Sequence, residues 1–169
     1  MAITITVEDG TIVAGANSYV SLDTYESYAE QRGWTTAVDD EDDKASLVRA
    51  FDAINRNWEY KGEEVDLENQ VGKFPRYIIK NRWEYVTPAD EVPQKVQDAQ
   101  CELAYLIQAG LDPFATVEGV IAAERVKAGP VESETEYQGG YSRPRLVAVE
   151  GLLGPYLIAG RGQRQLMRA

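Results

Sequence analysis

Few residues in this sequence could serve as catalytic or metal-binding groups. The 169 residues include no histidine and a single cysteine, Cys101. Histidine is the commonest general base and transition-metal ligand, and nucleophilic serine or cysteine residues usually depend on one. A lone cysteine rules out an intrachain disulfide and argues against a cysteine-based zinc site. We therefore expect no enzymatic activity, no cofactor and no bound metal.

One run of carboxylates, Asp39 to Asp43, could be read as a calcium-binding loop. Such a loop needs a central glycine and a terminal glutamate, and neither stands at the required offset. The alternative is a helix N-cap followed by an acidic first turn, which the helix dipole favours. This interpretation predicts a helix over about 43–58. Its apolar face would contain Leu47, Phe51, Ile54 and Trp58.

Aromatic and charged residues interleave around Trp58 and again around Trp83. Bases of single-stranded DNA stack on such rings, so DNA binding is one possible function. The formal net charge of −11 argues against it as the sole function, because phosphate binding usually requires a basic face. Stacking on single-stranded DNA stays open as an alternative.

Three glutamates recur with a period of two in a segment that alternates like a strand: Glu132, Glu134 and Glu136. Together with the Gly129-Pro130 break, the pattern predicts a β-hairpin or extended two-stranded arm at about 125–137. The glutamates would share one side of it. They could pair across the hairpin with basic residues, or form a ring-forming or lumen-facing band that repels DNA phosphate.

The remaining patterns define a small helical core. Residues 3–7 alternate like a strand, and residues 62–91 are irregular. Besides 43–58, helices are expected at about 22–32, 93–109 and 145–158. Ser21 would be the N-cap of helix 22–32, and Pro93 the first residue of helix 93–109. Trp34 should fold back onto the first helix. The fold class is mainly α (α+β), with about four helices and the hairpin.

The chain should form one helical domain over residues 1–158, followed by a flexible basic tail over residues 159–169. Residues 157–169 contain no acid. Their arginines and large apolar side chains are the candidate docking residues: Leu157, Arg161, Arg164, Leu166, Met167 and Arg168. No stretch is apolar enough to span a membrane, and the first residues lack a signal-peptide pattern. We expect synthesis and assembly in a cytoplasm.

Helix 93–109 carries apolar or amphipathic residues on two sides. Val96, Ala99 and Leu103 lie on its core stripe, whereas Cys101 and Tyr105 fall on nearly the opposite face. The helix is therefore either central in the fold or shared with a neighbouring subunit. Cys101 and Tyr105 are the candidate subunit-interface residues.

Five segments, taken in order, resemble a family of tailed-phage proteins encoded among virion-structure genes. They are Ala16 to Ser21, Gln70 with Phe74-Pro75-Arg76, Val92 to Ala104, Val126 to Tyr137, and Val147 to Leu157. Phe74 stands where the family usually has tryptophan, and Thr87 where an aliphatic residue is usual. Many members are labelled DnaT-like single-stranded DNA-binding proteins. The family also resembles head–tail connector (adaptor) proteins.

The resemblance implies a virion structural protein of the neck, without catalytic residues. Such adaptors form a dodecameric ring below the portal and let genomic DNA pass through the lumen without specific binding. The implied partners are the portal protein, copies of the chain itself and the next tail or neck component. Residues 157–169 would be the portal-facing segment, and the 125–137 hairpin the lumen-side or ring-forming element.

Overall fold

The computed structural model describes residues 2–81, 84–85, 88–115, 121–127, 132–137 and 146–158. Within these residues the chain is mainly helical, with four helices and three pairs of antiparallel strands, which confirms the predicted fold class. The helices are α1 (Leu22–Gln31), α2 (Asp40–Asn57), α3 (Gln94–Gln108) and α4 (Val147–Leu153). The strands are β1 (Glu63–Glu64), β2 (Arg76–Tyr77), β3 (Ile79–Asn81), β4 (Glu84–Tyr85), β5 (Ile121–Lys127) and β6 (Glu132–Tyr137).

The helix starts follow the expected capping chemistry. The Ser21 hydroxyl accepts a hydrogen bond from the Thr24 N–H, and the Asp39 carboxylate accepts one from the Glu41 N–H. The acidic run is therefore the cap and first turn of α2. Pro93 was expected inside α3 but is its N-cap, a one-residue difference, and its missing N–H costs the helix nothing there.

The prediction of a strand over residues 3–7 is wrong. The segment makes one parallel bridge, between Val7 and Ser18, instead of a ladder. Two of its N–H groups bond to side chains: the Thr6 N–H donates to Asn17 Oδ1 (2.8 Å) and the Ile3 N–H to Glu41 Oε2 (2.5 Å). Because side-chain acceptors take the place of a partner strand, an alternating pattern was not enough to form a sheet.

α3 is the central helix and packs against α1, α2 and α4. The predicted stripe residues Val96, Ala99 and Leu103 are all buried. Trp58 lies beyond the end of α2 as its C-cap and is also half-buried. The apolar interior contains Tyr25, Leu47, Phe51, Ile54, Phe74, Val96, Leu103, Val149 and Leu153.

The last helix is shorter than the 145–158 expected from the sequence. α4 ends at Leu153, because Gly154-Pro155 cannot continue it. The chain then forms an antiparallel bridge from Leu157 to Tyr60. Two further bonds flank that bridge, from the Lys61 N–H to the Tyr156 carbonyl (2.8 Å) and from the Ile158 N–H to the Glu59 carbonyl (3.0 Å).

The chain divides into two compact units, residues 1–113 with 147–169 and residues 114–146. The second unit contains the predicted hairpin, which begins earlier than expected, at Ile121. β5 and β6 are antiparallel, with Lys127 opposite Glu132 and Arg125 opposite Glu134. Among the described residues, no helix is long and apolar enough to cross a membrane.

Candidate interaction surfaces

An aromatic cluster lies where α1 faces α3. Gly33, with φ of 66°, ends α1, and the Trp34 N–H then donates to the Ala29 carbonyl, so Trp34 folds back as predicted. The Trp34 ring stacks on Tyr105 of α3, with ring centroids 4.2 Å apart and planes 13° apart. Both side chains are half-buried, so part of the stacked pair faces solvent.

A cation and a carboxylate complete this cluster. The Arg32 guanidinium lies 3.3 Å from the Tyr28 ring centroid, and its Nε is 3.6 Å from Glu102 Oε1. The Tyr28 hydroxyl donates to the same Glu102 oxygen (3.0 Å). Burial raises the pKa of Tyr28, and the Glu102 charge raises it further. We call Tyr28, Arg32, Trp34, Glu102 and Tyr105 the aromatic cluster.

The aromatic cluster could stack on a flat ring but is poorly suited to hold a phosphate. Aromatic and guanidinium planes are general stacking surfaces for bases or partner side chains. The one guanidinium in the cluster is already neutralised by Glu102. A flat or apolar partner therefore fits better than a polyanion.

The two candidate interface residues of α3 have different environments. Cys101 is 1% exposed, and burial raises the pKa of its thiol to about 12, which makes it a small apolar core group. Tyr105 keeps exposed surface beside Trp34. Of the two, Tyr105 is thus the residue available to a neighbouring subunit, and the interface role stays a prediction.

The other predicted surfaces are only partly described. The register places Glu132, Glu134 and Glu136 at alternate positions of β6 and hence on one face of the hairpin. Leu157 is half-buried and bridged to Tyr60. The remaining tail residues lie outside the described residues: Arg161, Arg164, Leu166, Met167 and Arg168. Trp83 lies outside them too.

A buried arginine organises a second surface, the loop between β1 and β2, and sequence patterns did not reveal its role. Arg76 is 6% exposed and donates to the carbonyls of Lys61 (3.1 Å), Gly62 (2.8 Å) and Lys73 (3.1 Å). It also pairs with Glu64 Oε1 at 3.2 Å. Although burial opposes it, the charges of Lys73 and Arg76 hold the pKa of Glu64 below its usual value.

Basic side chains of the helical unit are largely engaged by acids. Six lie within ion-pair distance of a carboxylate: Arg32, Lys44, Arg49, Arg56, Lys73 and Arg76. A groove for the nucleic-acid backbone needs cations that face solvent and phosphate. The described surface of this unit therefore presents an acidic body, in agreement with the net charge.

These features define a mainly helical α+β domain, with candidate interaction surfaces on α1, α3 and the β1–β2 loop. The chain belongs to the family described as "Putative DnaT-like ssDNA binding protein", whose model matches residues 3–169. No curated protein and no solved structure matches the chain.

Proposed function

We propose that the chain is a structural adaptor of a tailed-phage neck, assembled as a ring on the portal. Residues 157–169 would meet the portal, and the hairpin unit would join neighbouring subunits. Genomic DNA would pass through the lumen without being held. The proposal assigns the molecule to the virion and gives it no catalytic role.

The observation that carries the proposal is the hairpin unit. Among the described residues, β5 and β6 form a two-stranded sheet of seven and six residues, in which both strands are edges. A two-stranded hairpin is marginally stable in water, and edge strands are templates for pairing with other chains. Copies of the hairpin arranged around an axis would satisfy those edges mutually.

The charge distribution supports the same arrangement. The glutamates of β6 share one face, and repeated around a ring they would form a negative band. Such a band repels phosphate and lets a duplex slide. The acidic body, with its ion-paired cations, would not retain DNA either.

The test mixes the full chain with purified portal protein and measures the mass of the complex. We expect a closed ring on the portal. Deleting residues 160–169 should abolish portal binding and leave the helical circular dichroism unchanged. In Thr135→Pro, a proline in β6 should remove the ring, because it deletes a backbone donor and distorts the ladder.

Thr135→Val is the matched control, since a β-branched residue keeps the strand. It should assemble like the unmodified chain. Normal portal binding by the tail deletion would refute the docking role of the tail. A ring that forms equally well with Thr135→Pro would refute the role of the hairpin.

Single-stranded DNA binding is a second candidate, favoured by the family description and by the aromatic cluster. Trp34, rather than Trp58, would be its stacking residue, because its ring shares a partly exposed stack with Tyr105. Fluorescence anisotropy with an oligothymidylate at low salt tests it. Trp34→Ala should weaken binding by about 1–3 kcal/mol, and Trp34→Phe should retain most of it. The absence of binding at low salt would eliminate this function.

A further inference from the structure

The loop from Glu63 to Val71 presents two large apolar side chains to solvent. Leu67 is 83% exposed and Val71 is 52% exposed. Single exposed apolar residues are ordinary, but two within five residues of one loop offer apolar surface that a partner could cover. We call residues 63–71 the acidic loop, because they contain four acids and no base.

The acidic loop is held in one conformation by its own side chains. Asp66 Oδ1 accepts from the N–H groups of Glu68 and Asn69, both at 3.1 Å. Gln70 Oε1 accepts from the Val65 N–H (3.2 Å), while its Nε2 donates to the Pro75 carbonyl (2.9 Å). The apolar side chains are therefore displayed from a preorganised loop, which lowers the entropic cost of binding.

The charges around the patch specify a basic partner. Glu63 and Glu68 are exposed, and Asp66 is half-buried beside them. The nearby cations Lys73 and Arg76 are paired with Glu64. A segment that combines arginines with a few apolar side chains would complement both the carboxylates and the apolar tip.

The chain contains such a segment, which begins next to the stretch that leads into the loop. Residues 159–169 include three arginines, Leu166 and Met167, and no acid. They follow Ile158, whose N–H is bonded to Glu59. Leu67 lies eight residues after Glu59 and Leu166 eight residues after Ile158, so each reaches at most about 29 Å from that shared point.

We propose that residues 159–169 dock on the acidic loop of the same molecule, with Leu166 and Met167 against Leu67 and Val71. The arginines would face Glu63, Asp66 and Glu68. The inference concerns the isolated chain and does not depend on the portal. If the portal also binds this segment, the loop and the portal compete for it.

Disulfide trapping in the full chain tests the docking. Glu68→Cys combined with Gln165→Cys should form an intramolecular disulfide in a glutathione buffer about tenfold faster than a control pair, because docking raises the effective concentration. Cys101 does not compete, since it is 1% exposed. Mass spectrometry under non-reducing conditions measures the product.

The control pair is Val38→Cys with Gln165→Cys. Val38 is fully exposed and lies just before the first residue of α2. Because α2 has 18 residues, Val38 is about 27 Å from the last turn of α2, which lies next to Glu59. Changing Arg161, Arg164 and Arg168 to glutamine should reduce trapping at residue 68 to the control rate. Equal rates for both pairs, or disulfides only between molecules, would overturn the proposal.

Discussion

Arg76 is the residue whose removal we expect to cost the most stability. Arg76→Ala deletes the donors of four backbone carbonyls and leaves Glu64 with one cation fewer. Breaking a buried ion pair of this kind costs about 3–5 kcal/mol, measured as the free energy of unfolding in urea. Arg56→Ala is the control, because its i,i+4 pair with Asp52 is exposed and worth about 0.3–0.5 kcal/mol. Similar losses for both variants would contradict this role of Arg76.

Asp43 should make stability depend on pH. Burial raises the pKa of Asp43 above its ordinary 3.8, and the charges of Asp40 and Asp42 raise it further, against a hydrogen bond from the Ala37 N–H. When folding raises the pKa of an acid, the acid's contribution to stability is complete at pH values below its pKa in the unfolded chain. This contribution is lost as the pH rises through its pKa in the folded protein.

Asp43→Asn should therefore raise the free energy of unfolding at pH 7, with a difference that shrinks as pH falls toward 3.8. The variant keeps an acceptor oxygen for the Ala37 N–H and the Gln108 amide, which both bond to Asp43 Oδ1. Asp42→Asn, exposed in the same turn, should lose about 0.3–1 kcal/mol of helix-dipole stabilisation instead. Urea titrations from pH 4 to pH 8 measure the free energy of unfolding of both variants. If the two substitutions changed it in the same direction at pH 7, the raised pKa of Asp43 would be refuted.

Buried polar residues are the part of the site that sequence patterns could not predict. Both Arg76 and Gln100 are buried; Arg76 bonds to carbonyls 14 and 15 residues earlier, and Gln100 bonds to Ser18, 82 residues earlier. Periodicity describes which face of an element is apolar, but it carries no information on pairings across the chain. The segment Gln70 to Arg76 was notable as part of a family resemblance, while its hydrogen bonding became evident only in three dimensions.

At the scale of the elements, the helices were predictable because local signals agreed. Ser21 caps α1 as expected, and the acidic run supplies the cap of α2, although α2 begins at Asp40 and not near residue 43. Gly154-Pro155 stops α4 at Leu153. The strand expected at residues 3–7 failed because strand formation depends on a partner, which alternation cannot supply. The hairpin succeeded because its two strands are adjacent in sequence and carry the break between them.

Gln100 should stabilise the packing of α3 against α2 and against the segment that precedes α1. From α3, it accepts from the Tyr19 N–H (2.8 Å) and donates to the Leu47 carbonyl of α2 (2.9 Å). Gln100→Leu leaves the Tyr19 N–H buried without that acceptor, so we expect a loss of about 1–3 kcal/mol in urea unfolding. Gln94→Leu, exposed on the same helix, should change stability by less than about 0.5 kcal/mol. If Gln100→Leu lowered the free energy of unfolding no more than Gln94→Leu does, the hydrogen bonds of Gln100 would not stabilise this packing.

At the scale of the whole molecule, a net charge of −11 opposes self-assembly. Copies in a ring bring like charges together, and the Debye length of about 10 Å at 0.1 M salt sets how far they repel. If the hairpin joins subunits, the glutamates of β6 would lie close to those of the next copy. Assembly should then depend on ionic strength as well as on the portal.

We therefore expect oligomers of the isolated chain to increase with salt, measured by mass photometry or light scattering at fixed concentration. Changing Glu132, Glu134 and Glu136 to glutamine should permit the same assembly at low salt. The control is Asp23→Asn with Glu26→Gln and Glu30→Gln, which removes three charges from α1. Because the net charge changes equally, a greater effect in β6 would locate the repulsion at the hairpin. Equal effects would mean that the total charge governs association and would count against a hairpin interface.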